Sequence, residues 1–154
     1  INSVNITLLP AILFLTATLI AFAIGSAWGT AAMIFPIAIP LVLAMLHIEG
    51  TPTLAEIPIL FPTLGAVLSG CVAGDHISPI SDTTVMSITS TRTPLMDHIT
   101  TQTPYAVPLI ITSCFGFSLA SVLMPYGIWV ASTVPIAVSV LVSFLILKLL
   151  DKRI

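Results

Sequence analysis

Residues 70–91 read Gly-Cys-Val-Ala-Gly-Asp-His-Ile-Ser-Pro-Ile-Ser-Asp-Thr-Thr-Val-Met-Ser-Ile-Thr-Ser-Thr, and this stretch decides the fold. It follows a long uncharged run and brings in two carboxylates, Asp75 and Asp82. Gly74 and Pro79 interrupt the helix at the same place. Charged side chains at membrane depth are costly and usually mark an ion path. Non-helical backbone at that depth has to be buried in protein or line a watery cavity. The coincidence of acids and helix break therefore indicates ion transport.

The composition is that of an integral membrane protein. The chain is 57% hydrophobic and 6% charged, whereas soluble domains are about 25% charged. Its four Lys and Arg residues are too few for a nucleic-acid footprint, so lipid is the expected surrounding and no nucleic acid is expected as a partner. Cys71 and Cys114 lie in apolar segments and are predicted to be packing residues rather than a disulfide. The predicted fold is an all-α, polytopic transmembrane helical bundle.

Uncharged stretches define the predicted helices of a single transmembrane domain over residues 1–154. A span needs roughly 20 residues, so residues 1–46 are divided at Gly25–Thr30 into pieces of about 7–24 and 31–46. The second broken helix has its break at 74–80, and a polar loop follows at 92–103. Both breaks are expected to meet near the middle of the membrane. The predicted elements are two broken or re-entrant helices, about 7–46 and 57–91, and two unbroken spans, about 104–124 and 128–147.

The basic residues predict the orientation of the chain. They lie in the 92–103 loop or near the C-terminus, so both regions are predicted to be cytoplasmic. The 47–56 connector contains two Glu and no basic residue, so it is predicted to lie outside. The four basic residues are Arg92, Lys148, Lys152 and Arg153.

Asp75 and Asp82 are expected to differ because they lie at opposite ends of two half-helices. Asp75 would end the first half, where the helix dipole and an apolar surrounding favour the protonated acid. Carbonyls freed near Gly70–Gly74 would help to hold a small cation. Asp82 would begin the second half behind an N-cap, Ser81, and would stay ionised. The alternative is that Asp82 merely caps its helix while Asp75 pairs with His76.

Other polar side chains near the break are candidates for the same site. Hydroxyl oxygens suit a dehydrated alkali ion, and they would equally bond backbone groups freed by the break. His76 could carry protons, as an imidazole does near neutral pH, or it could orient Asp75. The candidate hydroxyls are those of Ser78, Ser81, Thr83 and Thr84.

Two further segments contain candidate residues. The Gly25–Thr30 break supplies Ser26 and Thr30, and its glycines would let two backbones approach closely. We expect it to form a second unwound site beside the first. Asp97 and His98 lie in the predicted 92–103 loop, where they would be either functional or simply solvated.

Three stretches resemble the signatures of the NhaC-type sodium/proton antiporters. The run Gly74–Thr84 resembles the first signature, and Gly25–Thr30 followed by Ile34–Ala38 resembles the second. The run Asp97–Ala106 resembles the third, with Ile99 and Thr100 where Val-Arg is usual. Along the chain the second signature comes before the first, and the third follows both, which is the order expected for the family.

The resemblance implies a secondary antiporter that exchanges sodium for protons. Both cations would compete for a carboxylate site containing Asp75 and Asp82, which the protein exposes to each side in turn. The transported ions would be the ligands, and no cofactor is implied. Family members are prokaryotic plasma-membrane proteins several times longer, so we expect this chain to be a C-terminal part that works with an N-terminal half or a partner chain.

Three other classes of function are weighed against this one. The same scaffold could exchange small organic acids or amines, although the basic residues lie only in loops and tail. A non-transporting membrane fragment or subunit is a second alternative. An intramembrane enzyme is disfavoured, because Val72-Ala73-Gly74-Asp75 departs from the Gly-x-Gly-Asp of presenilin-like proteases. The chain also contains no His-Glu-x-x-His zinc motif.

Overall fold

The protein is described here by a computed structural model that covers residues 5–48, 50, 53 and 56–151. This part of the chain is helical and contains no strand, which confirms the all-α prediction. Five helices are long and apolar enough to cross a membrane, and α4 is the exception. The helices are α1 (Leu9–Ile24), α2 (Ala27–Met45), α3 (Leu60–Ile77), α4 (Asp82–Thr91), α5 (Leu95–Leu123) and α6 (Ile128–Asp151).

Helices α1 and α3 form the closest pair in the bundle. Gly70 lies directly against the backbone carbonyl of Phe14, and Gly74 against that of Thr18. Because both contacts advance in the same direction, the two helices are parallel. Small residues four apart on one face allow such backbone contact between membrane helices. A β-carbon at either glycine would lie 2.9 Å from an alanine methyl group of α1.

Helix α2 returns alongside this pair. Gly25, which ends α1 in the left-handed conformation with φ of 72°, lies against Ile80 just beyond the end of α3. The other end of α2 connects through residues 46–59 to the start of α3. Helix α2 therefore runs antiparallel to both neighbours. The three helices enclose a core of small and branched side chains that includes Leu13, Ala17, Ala31, Ala38, Val42, Val67 and Cys71.

Helices α5 and α6 complete the bundle as an antiparallel pair. Gln102, near the start of α5, donates a hydrogen bond to the end of α3. Phe117, farther along α5, lies near Gly65 at the start of α3. The ring centroids of Phe117 and Phe14 are 5.4 Å apart, with the two rings tilted. Helix α5 therefore runs antiparallel to α3. Helix α6 lies against α5 where Ser139 faces Gly116. The two cysteines are free, as predicted.

The first predicted break is shorter than expected and lies at a different height. The side chain of Ser26 caps α2, which therefore begins at Ala27 rather than at residue 31. Residues 6–24 and 27–45 are each 19 residues long, enough for a complete span. Gly25 and Ser26 thus link two whole spans, and the two breaks meet at one end of these spans rather than at their middle.

The predicted 92–103 loop is largely helical. Pro94 is extended, and α5 begins immediately after it at Leu95, so Asp97 and His98 lie in its first turns. The polar composition of this segment reflects its position beyond the apolar spans and does not reflect an irregular backbone. Thr100 and Thr101 fit the helix because their hydroxyls bond carbonyls of the preceding turn.

The connections lie at two opposite ends of the bundle. The 46–48 and 56–59 segments lie at the start of α3, and the 92–94 link lies at the end where α3 gives way to α4. This agrees with the predicted placement of the two loops on opposite sides. Which end is cytoplasmic stays a prediction. Glu49, Lys152 and Arg153, on which it partly depends, lie outside the described residues.

Cysteines introduced at the two ends should react from opposite sides of the membrane. His47 and Met96 are exposed, one at each end, and suit this test in a background with alanine at Cys71 and Cys114. We expect an impermeant thiol reagent to label Met96→Cys from the cytoplasmic face and His47→Cys from the outer face. Labelling of both from one face would contradict the arrangement of the helices. The reverse assignment of faces would contradict the orientation alone.

Substitution of Gly74 should destabilise the bundle much more than substitution of Gly65. A β-carbon at Gly74 would collide with α1, and such overpacking typically costs about 1–3 kcal/mol. At Gly65 the nearest atom is 3.7 Å away, so alanine fits there. We expect Gly74→Ala to lower the unfolding temperature in detergent and Gly65→Ala to leave it unchanged or raise it. Equal unfolding temperatures would show that α1 and α3 do not meet as described.

Candidate functional site

The break between α3 and α4 consists of residues 78–81. The last turn of α3 contains Asp75 and His76, and its carbonyls have no partner within the helix. These are the carbonyls of residues 74–77, one turn beyond the Gly70–Gly74 region where the sequence predicted them. The Asp75 carbonyl accepts from the Ser78 N–H at 3.1 Å, and the His76 carbonyl accepts from Nε2 of Gln102 at 3.1 Å.

Asp75 is buried, with 5% of its surface exposed. Its Oδ2 accepts a hydrogen bond from the hydroxyl of Thr83 at 2.8 Å. Its Oδ1 is also buried and has no hydrogen-bond partner among the described residues. The predicted alternative, in which His76 pairs with Asp75, is therefore wrong for this structure. Asp75 combines burial with one free acceptor oxygen.

The start of α4 has the capping arrangement that the sequence predicted. Ser81 precedes the helix, and its Oγ accepts from the Thr83 N–H at 3.2 Å, which confirms its role as N-cap. Asp82 is the first residue of the helix, and its Oδ1 accepts from the same N–H at 2.8 Å. Unlike Asp75, Asp82 is exposed. The two acids thus lie at the opposite helix ends predicted for them, and they differ in exposure, since Asp75 is buried and Asp82 is exposed.

The two breaks lie side by side, as predicted. The hydroxyl of Ser78 donates to the carbonyl of Phe22 in the last turns of α1 at 2.8 Å, and Ile80 packs on Gly25. At the first break the polar side chains bond their own backbone. Ser26 Oγ accepts from the Gly29 N–H at 3.2 Å, and the Thr30 hydroxyl donates to the Ser26 carbonyl at 2.8 Å.

A cavity of about 330 Å³ opens where α3, α4 and α5 meet. It brings His76, Thr83 and Thr84 from the break together with His98, so the structure joins four of the predicted site residues. Asp97 is exposed and does not line it. The sequence interpretation did not single out three other lining residues, although two of them lie in the third signature-like run. These three are Ser87, Thr101 and Gln102.

No ready-made metal cluster accompanies the break. Across the described residues, no three His, Cys, Asp or Glu side chains come together in a group that could hold a metal ion.

Span-length helices and a buried carboxylate beside a helix break are the features of a secondary transporter. The sequence profile of the Na+/H+ antiporter family matches residues 1–122, and the chain belongs to that family. An uncharacterized protein of Haemophilus influenzae is 38% identical over 75% of the chain and 20% of its own length. A malate-2H(+)/Na(+)-lactate antiporter of Bacillus subtilis is 30% identical over 70% of the chain and 22% of its own length.

The chain spans about a fifth of the length of these curated relatives, which are 20% and 22% covered. No solved structure matches it significantly.

Removal of the Ser78 hydroxyl should loosen the contact between the breaks. Ser78 is fully buried and bonds a carbonyl of another helix, so alanine leaves the carbonyl of Phe22 unpaired. We expect Ser78→Ala to lower the free energy of unfolding by about 0.5–1.5 kcal/mol. Ser118→Ala is the matched control, because the Ser118 hydroxyl bonds the Cys114 carbonyl within its own helix. Thermal unfolding in detergent compares them, and equal losses would contradict an inter-helix role for Ser78.

Proposed function

We propose that this chain forms the ion-binding part of a secondary antiporter that exchanges sodium for protons, with Asp75 as the residue that the two cations occupy in turn. The observation that supports it is the buried Oδ1 of Asp75, which has no hydrogen-bond partner in the described part of the chain. A buried acceptor left without a partner costs about 1–3 kcal/mol. A sodium ion would give Oδ1 a partner, and a proton would neutralise the buried charge of the carboxylate.

Exchange follows from the competition of both cations for one oxygen. A carboxyl that has bound a proton is neutral and no longer attracts sodium, and a carboxylate that has bound sodium resists protonation. Each ion therefore leaves before the other binds. If the protein exposes Asp75 to each side of the membrane in turn, inward movement of one ion drives outward movement of the other.

Asp82 has a different role in this proposal. It is exposed at the N-terminal end of α4, where the helix dipole stabilises a negative charge. A carboxylate at this position would raise the local concentration of cations near the break. Its contribution would thus be to sodium affinity, whereas Asp75 would carry the exchange itself.

The proposal concerns the complete transporter in which this chain works. The relatives are about five times longer than the segment they share with it, since 20% and 22% of their lengths are covered. Further helices, in the same polypeptide or in a partner chain, would close the lipid-facing side of the site and supply the opposite access path. We place the transporter in a prokaryotic plasma membrane with a cytoplasmic C-terminus.

A second candidate is exchange of a small organic acid or amine. Two observations favour it: the cavity of about 330 Å³ has room for more than a bare ion, and it is lined by His76 and His98, whose imidazoles can donate to a carboxylate. The related Bacillus subtilis antiporter is named for malate and lactate. In this case Asp75 would still bind the coupling cation, and the organic ion would occupy the cavity.

Asp75→Asn and Asp82→Asn should impair the transporter in different ways. Asparagine keeps the shape of Asp75 but cannot bind a proton, so we expect exchange at background level even at saturating sodium. Asp82→Asn removes a nearby charge, so the KM for sodium should rise about tenfold, equivalent to about 1.4 kcal/mol, with exchange retained. Sodium-driven proton movement in proteoliposomes measures both, and near-normal exchange by Asp75→Asn would refute the proposal.

The control for these variants is Glu56→Gln. Glu56 is exposed at the other end of the bundle and should be replaceable without effect on exchange.

The same vesicles distinguish the two candidate functions. Proton movement driven by sodium alone supports the first, and movement that requires a dicarboxylate, a monocarboxylate or an amine on one side supports the second.

A further inference from the structure

Thr83 is the hydrogen-bonding centre of the break. Its hydroxyl oxygen lies 2.8 Å from Oδ2 of Asp75 and 2.6 Å from Oγ of Ser81. A hydroxyl has one hydrogen to donate, and an ionised carboxylate can only accept. Thr83 therefore donates to Asp75, and Ser81 donates to Thr83. The direction of both bonds follows from the charge on Asp75.

This arrangement makes the two oxygens of Asp75 unequal. The terminal torsion of an aspartate side chain is soft and has no sharp preference of its own. The bond from Thr83 fixes it, because Thr83 is held in turn by Ser81, which is fully buried. Oδ2 is thereby occupied by its hydrogen bond to Thr83 of α4. Oδ1 is held in a constant direction and has no partner among the described residues.

We propose that Thr83 is a positioning residue, whose hydroxyl holds Oδ2 of Asp75 so that Oδ1 is the oxygen presented to the exchanged cation. The inference builds on the proposed function and changes the role that the sequence predicted for Thr83. There it was a candidate ion ligand, whereas here its hydrogen is directed to Asp75. The bond also joins the last turn of α3 to the first turn of α4.

The consequence is a specific effect on sodium binding. Without the Thr83 hydroxyl, the carboxylate loses the bond that fixes its torsion and has to be ordered each time a cation binds. Ordering a side chain weakens binding by about three- to tenfold. Loss of binding that is equal in the ground state and the transition state raises KM and leaves kcat unchanged. A purely structural bond would instead lower the amount of active transporter at constant KM.

Three variants in the complete transporter test this in proteoliposomes. Thr83→Val has nearly the same shape without the hydroxyl, and we expect the KM for sodium to rise about three- to tenfold with kcat within about twofold. Thr83→Ser keeps the hydroxyl and should restore the parent KM. Thr89→Val is the control, since the Thr89 hydroxyl of the same helix bonds only the Val85 carbonyl among the described residues. It should behave as the parent.

Several outcomes would overturn the inference. A parent-like KM in Thr83→Val, or an equal rise in Thr83→Ser, would show that the hydroxyl does not position Asp75. If Thr83→Val and Thr83→Ala fail to accumulate while Thr83→Ser is normal, the hydroxyl serves assembly and the positioning role is refuted. These results are separable from the proposed function, because Asp75→Asn would still abolish exchange. Active Asp75→Asn would instead refute the proposed function.

Discussion

The backbone contact of α1 with α3 is the constraint on which the rest of the structure depends. Gly70 and Gly74 let the two helices touch over two successive turns, and this fixes the height of one against the other. The ends of both helices then fall at the same level, so Ser78 reaches the Phe22 carbonyl. A difference of one turn in this register would separate the two breaks.

At the break, polar side chains bond the backbone groups that an interrupted helix leaves without partners. The ends of the helices leave backbone groups without helical partners, and three nearby polar side chains bond such groups. Gln102 donates to a carbonyl at the end of α3, Ser81 caps the start of α4, and Ser78 donates to a carbonyl at the end of α1. After these bonds are made, one buried side-chain oxygen, Oδ1 of Asp75, is left without a partner within the described part of the chain.

The sequence predicted the elements of this fold better than their arrangement. Hydropathy and local helix signals predicted the helical bundle and the Ser81 cap. They placed the break at 74–80, whereas it lies at 78–81, because Gly74 continues α3 and packs on α1 instead of ending the helix. The parallel contact of α1 and α3 depends on residues far apart in sequence and was not predicted; the four-residue spacing of Gly70 and Gly74 is the sequence feature that could have indicated it. The 92–103 segment was misassigned because polarity indicates exposure and cannot distinguish a solvated helix from a loop. The hydrogen bond from Thr83 to Asp75 could not be predicted, because it depends on the path that the backbone takes through the 78–81 break.

The position of the breaks at one end of α1, α2 and α3 has an electrical consequence. A membrane potential falls across the apolar thickness of the bilayer, and moving one elementary charge through all of it changes the free energy by about 2.3 kcal/mol per 100 mV. A cation at Asp75 would be close to one aqueous phase and far from the other. Exchange with the near side would cross little of the field, and exchange with the far side most of it. The voltage sensitivity of such a carrier would therefore lie almost entirely in one of its two half-reactions.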